Sequence, residues 1–108
     1  MIHTIANITK VDIGIGNAFD FRACIIFECI PGEEKEWYLP IDGEVAIKKL
    51  ELLSKMVGNR ILEGKQVGVV VTKNRLFAFG RLKTNEFYMF NGDNNARTYE
   101  EIVKLQVF

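Results

Sequence analysis

The chain has 108 residues, 48% of them hydrophobic, and its 14 basic side chains balance 14 acidic ones. That length holds one domain with one core, and it buries about two-thirds of the surface its unfolded form exposes, enough to fold without a metal or disulfide staple. Zero net charge lacks the basic footprint on which phosphate-backbone binding rests. The apolar run 67–71 is far too short to span a bilayer, and Met1-Ile2-His3-Thr4 lacks the basic start and apolar run of a secretion signal. The expected setting is cytoplasmic, without membrane insertion.

Residues 2–13 carry a loose strand pattern that Gly14-Ile15-Gly16-Asn17 interrupts. The G-x-G within residues 12–17 is followed by no helix, so a phosphate would find no helix N-terminus there, and the segment reads as a hinge or bulge. Phe21, Ala23, Ile25, Phe27 and Cys29 then alternate with Arg22, Cys24, Ile26 and Glu28, a strand with one wholly apolar face. Cys24 and Cys29 fall on opposite faces of it, about 16 Å apart along the strand. They cannot pair with each other or share a metal, and both read as core or half-buried thiols. Pro31-Gly32 is a type II turn pair. It leads into a returning strand at Trp37-Tyr38-Leu39, which Pro40 ends.

Residues 44–57 are a helix that covers a sheet. Val45, Ala46, Leu50, Leu52, Leu53, Met56 and Val57 share one arc, and Glu44, Lys48, Glu51 and Lys55 oppose it. Asp42 is the expected N-cap and Gly58, followed by Asn59, the C-terminal stop. Three strands follow, at 67–72, 76–82 and 86–90, joined by turns at Lys73-Asn74 and Thr84-Asn85. Residues 91–95 form a loop. In the tail, Thr98 and Glu101 resemble a capping box, while residues 102–108 alternate like a strand. The expectation is a helical turn from Tyr99 and a final strand through Val107. The fold class is therefore α+β, ordered βββ-α-βββ with a last strand: a curved antiparallel sheet or small open barrel, with one helix packed on it, over residues 1–108 as a single domain.

Catalytic chemistry finds no anchor in this pattern. His3 has no nucleophile or carboxylate beside it in sequence, and Cys24 and Cys29 lack the neighbouring base or helix N-terminus that lowers a thiol pKa. Asp93, Asn94 and Asn95 offer oxygens but not the spaced carboxylates of a calcium loop, and a loop tip is the plainer reading. No metal or cofactor is expected. Charge, by contrast, is segregated. Residues 28–44 hold six acids against Lys35, and residues 60–83 hold six bases against Glu63. The first group surrounds Trp37 and Tyr38 with Glu33, Glu34 and Glu36, aromatic anchors ringed by charge as at protein interfaces; the plainer reading of Trp37 alone is a core residue. The second puts Lys73, Arg75, Phe77, Phe79, Arg81 and Lys83 on a hairpin. Arg75, Phe77, Phe79 and Arg81 lie on one strand face, which suits stacked single-stranded bases; the rival reading is a strand apolar on both faces and buried on both, by helix and by sheet.

Residues 68–81 (Gly68-Val69-Val70-Val71-Thr72-Lys73-Asn74-Arg75-Leu76-Phe77-Ala78-Phe79-Gly80-Arg81) and then 98–105 (Thr98-Tyr99-Glu100-Glu101-Ile102-Val103-Lys104-Leu105) resemble the Thr-x-x-Arg-Leu hairpin and following strand of bacterial PH-like domains. The resemblance covers about a third of the chain. That family continues with more strands and closes with a helix, so a permuted order, with residues 2–57 supplying the later elements, is needed to align the two. The resemblance implies a small curved barrel used for binding, with no site residues to carry over.

The function these observations favour is a non-enzymatic interaction module. It binds a protein through the acidic Trp37 hairpin or the basic Arg75 hairpin, and a homodimer joining the two is one version. A single-stranded nucleic-acid-binding sheet is the first alternative. A small enzyme or ligand-binding barrel, with a site assembled from distant residues, is the second.

Overall fold

A computed structural model describes residues 1–15, 21–29, 33–38, 43–73 and 75–106. Six strands, β1 (Ile2–Ile15), β2 (Phe21–Cys29), β3 (Glu33–Tyr38), β4 (Gln66–Thr72), β5 (Arg75–Arg81) and β6 (Glu86–Met89), form one open antiparallel sheet in the order β3-β2-β1-β4-β5-β6. Helix α1 (Gly43–Val57) follows β3, and α2 (Tyr99–Gln106) follows β6.

Strand β1 is the spine. Its first half, from Ile2 to Asn7, pairs with β4, and its second half, from Ala6 to Ile15, pairs with β2. A bulge between Ile8 and Lys10 marks the changeover. Just there the β4 side of β1 passes to the loop after α1, where Ile8 N–H donates to the Lys65 carbonyl at 2.8 Å and Gly64 N–H donates to that of Ile8 at 2.7 Å. Bulges bend a strand and sharpen its twist, and the sheet curls strongly. β3 and β5 have three strands between them, about 19 Å in a flat sheet, yet the Trp37 and Phe79 rings lie 5.9 Å apart.

The main core fills the concave face. Ala6, Ile8, Ile25, Phe27, Trp37, Val69, Phe79 and Phe90 meet Ala46, Leu53 and Met56 of α1 there. Each fully buried aromatic or aliphatic side chain contributes about 1.5–3 kcal/mol of transfer free energy. α1 stops as its sequence predicts: Gly58 takes φ +71°, and Asn59 N–H reaches back to the Ser54 carbonyl at 3.1 Å, closing a Schellman motif. The expected cap Asp42, the turn at Pro31-Gly32, Asn74 and Gly16 lie outside the described residues.

Three expectations are corrected. The tail from Tyr99 to Gln106 is a helix, not a turn and strand. Its capping box forms in both directions, Thr98 N–H to Glu101 Oε1 and Glu101 N–H to Thr98 Oγ1, each at 3.2 Å. Ile102 is fully buried, with Tyr99 and Val103 half-buried beside it, and that i, i+3, i+4 spacing outweighs the short alternation. The fold thus has two helices, and α2 lies on the sheet face opposite α1: Ile102 packs with Val70, Phe77, Ala78 and Phe87 in a second, smaller core. Finally, a bulge separates the pairs Val70–Ala78 and Val71–Leu76, leaving Phe77 as the extra residue of β5. Phe77 therefore joins the α2 core while Phe79 joins the α1 core, so the two rings do not share a face.

Candidate protein-binding face

The alternation of β2 sends Ala23, Ile25, Phe27 and Cys29 inward and leaves Cys24, Ile26 and Glu28 on the convex face. The registers of β1 and β3 extend these into three cross-strand rows: Asp12–Cys24–Tyr38, Lys10–Ile26–Glu36 and Asn7–Glu28–Glu34. The rows are acidic. Lys10 is paired with Asp12 at 3.3 Å. Glu28 and Glu34 stand directly opposite one another, and neither has an ion-pair partner among the described residues. Directly opposed like charges destabilise a sheet by a few tenths of a kcal/mol, up to about 1. Tyr38 is 66% exposed and donates its hydroxyl hydrogen to Glu36 Oε2 at 2.7 Å. That bond and the carboxylate's charge push the Tyr38 phenol up to about 12. Burial, with the Glu36 charge behind it, raises the Cys24 thiol.

The acidic hairpin is thus divided by the pleat. Tyr38, Glu34 and Glu36 face outward. Trp37 is 5% exposed and sits in the core, 4.5 Å from the Phe90 ring, with no hydrogen-bond partner for its buried Nε1 among the described residues. Glu33 lies on the inner side, in the cross-strand pair with Cys29. Lys35, whose side chain is only 9% exposed, bends across the concave mouth to donate to the Lys73 carbonyl at 2.6 Å and to Glu33 Oε1 at 3.3 Å. The end of β3 and the β4–β5 turn therefore meet within one molecule.

The basic hairpin is largely occupied by its own fold. Phe77 and Phe79 are buried on opposite faces, which removes the stacking platform their sequence spacing suggests. Arg75 lays its guanidinium 4.9 Å from the Phe77 ring centroid, a cation–π contact. Arg81 donates through Nη2 to the Lys55 carbonyl at 2.9 Å, satisfying a free acceptor in the last turn of α1. Lys73 and Lys83 are exposed.

The remaining candidates resolve into structural roles. Asp93 accepts both Arg97 guanidinium donors at 2.7 Å and the Asn95 N–H at 3.1 Å, so its carboxylate is committed inside the loop and held down to about 2. His3 stacks on Tyr99 at 4.3 Å. Gly14 lies in the β1–β2 register opposite Arg22. A cleft of about 270 Å³ opens at the concave mouth between Ile2, Thr4, Cys29, Lys35, Val71 and Thr72, slightly below the usual size of ligand pockets. Burial raises the Cys29 thiol beside it.

One buried polar residue goes unmarked by the sequence reading. Lys49 has no exposed surface and donates to the carbonyls of Met89 at 2.7 Å and Asp93 at 2.8 Å. Its position was readable: it lies three residues after Ala46 and four before Leu53, in the middle of the apolar stripe of α1.

No family model matches the chain, and no characterised protein resembles it significantly in sequence.

Proposed function

We propose that the protein is a non-enzymatic binding module whose convex β1–β2–β3 face takes a basic segment of a partner protein. The observation that carries this reading is the Glu28–Glu34 row with Glu36 in the next row: carboxylates held side by side with no ion-pair partner among the described residues, on a face that continues from Glu36 to the exposed Tyr38 ring. Like charges so placed cost the free protein stability, and a cationic partner relieves that cost on binding. Tyr38 supplies a large amphipathic contact of the kind that anchors interfaces. The hairpin of residues 68–81, which resembles that of bacterial PH-like binding domains, points in the same direction, towards recognition rather than catalysis, whereas residues 98–105 form a helix where that likeness implies a strand.

The experiment is affinity capture with the intact chain, its Glu34→Lys/Glu36→Lys variant and its Arg75→Glu/Lys83→Glu variant. The altered side chains of the first are exposed, so the fold tolerates the change. Bound proteins are expected to be lost from the first variant and kept by the second. Loss from the second alone would transfer the function to the basic hairpin.

A further inference from the structure

The acidic face ends at a strand edge, and the two edges of the sheet differ. At β6, Phe87 exchanges both backbone hydrogen bonds with Arg97 at 2.8 Å, so the following segment covers that edge. At β3 no described residue pairs with the outer side. Proteins commonly blunt such an edge with lysine, but the lysine of β3, Lys35, is folded across the concave mouth and committed to Lys73 and Glu33. The convex side of the edge is left with Glu34 and Glu36 and with the Tyr38 ring.

This chemistry disfavours a second copy. The two antiparallel registers that join residues 33–37 or 34–38 to their equivalents, keeping the convex face continuous, set Glu34 against Glu36 or Glu36 against itself. Like charges directly opposite oppose pairing. The same spacing fits a strand with a cation at every second position.

We infer that β3 is a β-augmentation edge: an extended partner segment with lysine or arginine at alternate residues adds to it as a seventh strand, its cations opposite Glu34 and Glu36. Main-chain hydrogen bonds supply the affinity and the alternate side chains the selectivity. This inference rests on the proposed acidic docking face and specifies how that face is used.

The probe is a nine-residue peptide of alternating lysine and threonine, labelled for fluorescence anisotropy. Two further peptides carry N-methyl groups on every lysine or on every threonine. In an extended strand alternate N–H groups point to one edge, so one methylated set blocks the ladder to β3 and the other faces solvent. The expected result is that the unmodified peptide binds and that one methylated peptide alone loses at least about tenfold in affinity, about 1.4 kcal/mol. Glu34→Gln/Glu36→Gln should weaken the unmodified peptide. Equal binding by all three peptides, still weakened by that variant, overturns the added strand and leaves the acidic docking face standing. Loss with both methylated peptides also overturns it. No binding by any of them, at low salt, overturns both readings.

Discussion

Lys49 commits its ammonium to two backbone carbonyls, Met89 and Asp93, and so ties α1 to the segment that leads from β6 to α2. Lys49→Met keeps the aliphatic stem and strands two buried acceptors, which should cost about 1–3 kcal/mol in urea unfolding. Burial lowers the Lys49 pKa below its ordinary 10.5. The folded state thus sheds this proton first, and stability attributable to Lys49 rises with pH between the folded value and 10.5. The stability of the native chain should therefore climb further above that of Lys49→Met over that interval, and a constant offset would contradict it. Asp93 gives a slope of the same sign at the acid end. Its carboxyl is held down to about 2 against an ordinary 3.8, so the Arg97 pair contributes fully above 3.8 and its contribution disappears as pH falls towards 2. Asp93→Asn should flatten the acid limb of the curve. Trp37 separates bulk from polarity: Trp37→Ala should cost about 3–5 kcal/mol, whereas Trp37→Phe keeps a ring in the core and removes a buried donor with no partner among the described residues, and so should cost less.

Among the elements, β2 and α1 are legible because a single signal governs each. The alternation of β2 separates Phe27 from Glu28, and the stripe and glycine stop of α1 match the buried face and the φ +71° of Gly58. α2 was half legible: Thr98 and Glu101 announce its start, but the short alternation after Ile102 imitates a strand, and only the second core beneath β5 and β6 decides between them. The bulge at Phe77 left no mark in sequence, since a bulge changes which residue faces which side without changing any residue. The candidate site suffered accordingly. Tyr38, Glu34 and Glu36 came out on one face as strand periodicity requires, while Trp37 turned inward and Phe77 and Phe79 parted. At Gly80 a Cβ would fall on the Glu86 carbonyl oxygen of the adjoining strand. Gly80→Ala is therefore expected to destabilise β5–β6 by more than the roughly 1 kcal/mol of an ordinary glycine substitution. Thermal unfolding of that variant beside Thr98→Ala, which should cost about 1 kcal/mol through its cap alone, provides the comparison.

At the scale of the molecule, charge is segregated around a neutral total, acids on the convex face of β1–β3 and bases on and near the β4–β5 hairpin. A partner held by the acidic face should bind more weakly as salt rises, because exposed charge pairs are screened within about 10 Å at 0.1 M. A mixed single-stranded oligonucleotide, by contrast, should give no salt-sensitive shift on size exclusion, because Phe77 and Phe79 are committed to the cores. A shift would revive the nucleic-acid alternative. The division of β1 between two partners also bears on synthesis. A ribosome releases β1, β2, β3 and α1 before β4, so the second half of β1 finds β2 early while residues 2–5 wait for a strand encoded some 60 positions later. Until then the nascent chain carries an unpaired edge in its middle, flanked by the exposed apolar faces of β2 and α1, which is the hazard of late, long-range strand pairing. A ribosome stalled before residue 66 should accordingly hold a protease-sensitive, chaperone-binding intermediate, and one that has exposed the chain through residue 106 beyond its tunnel, with β4 to β6 and the rest of the core in place, should not.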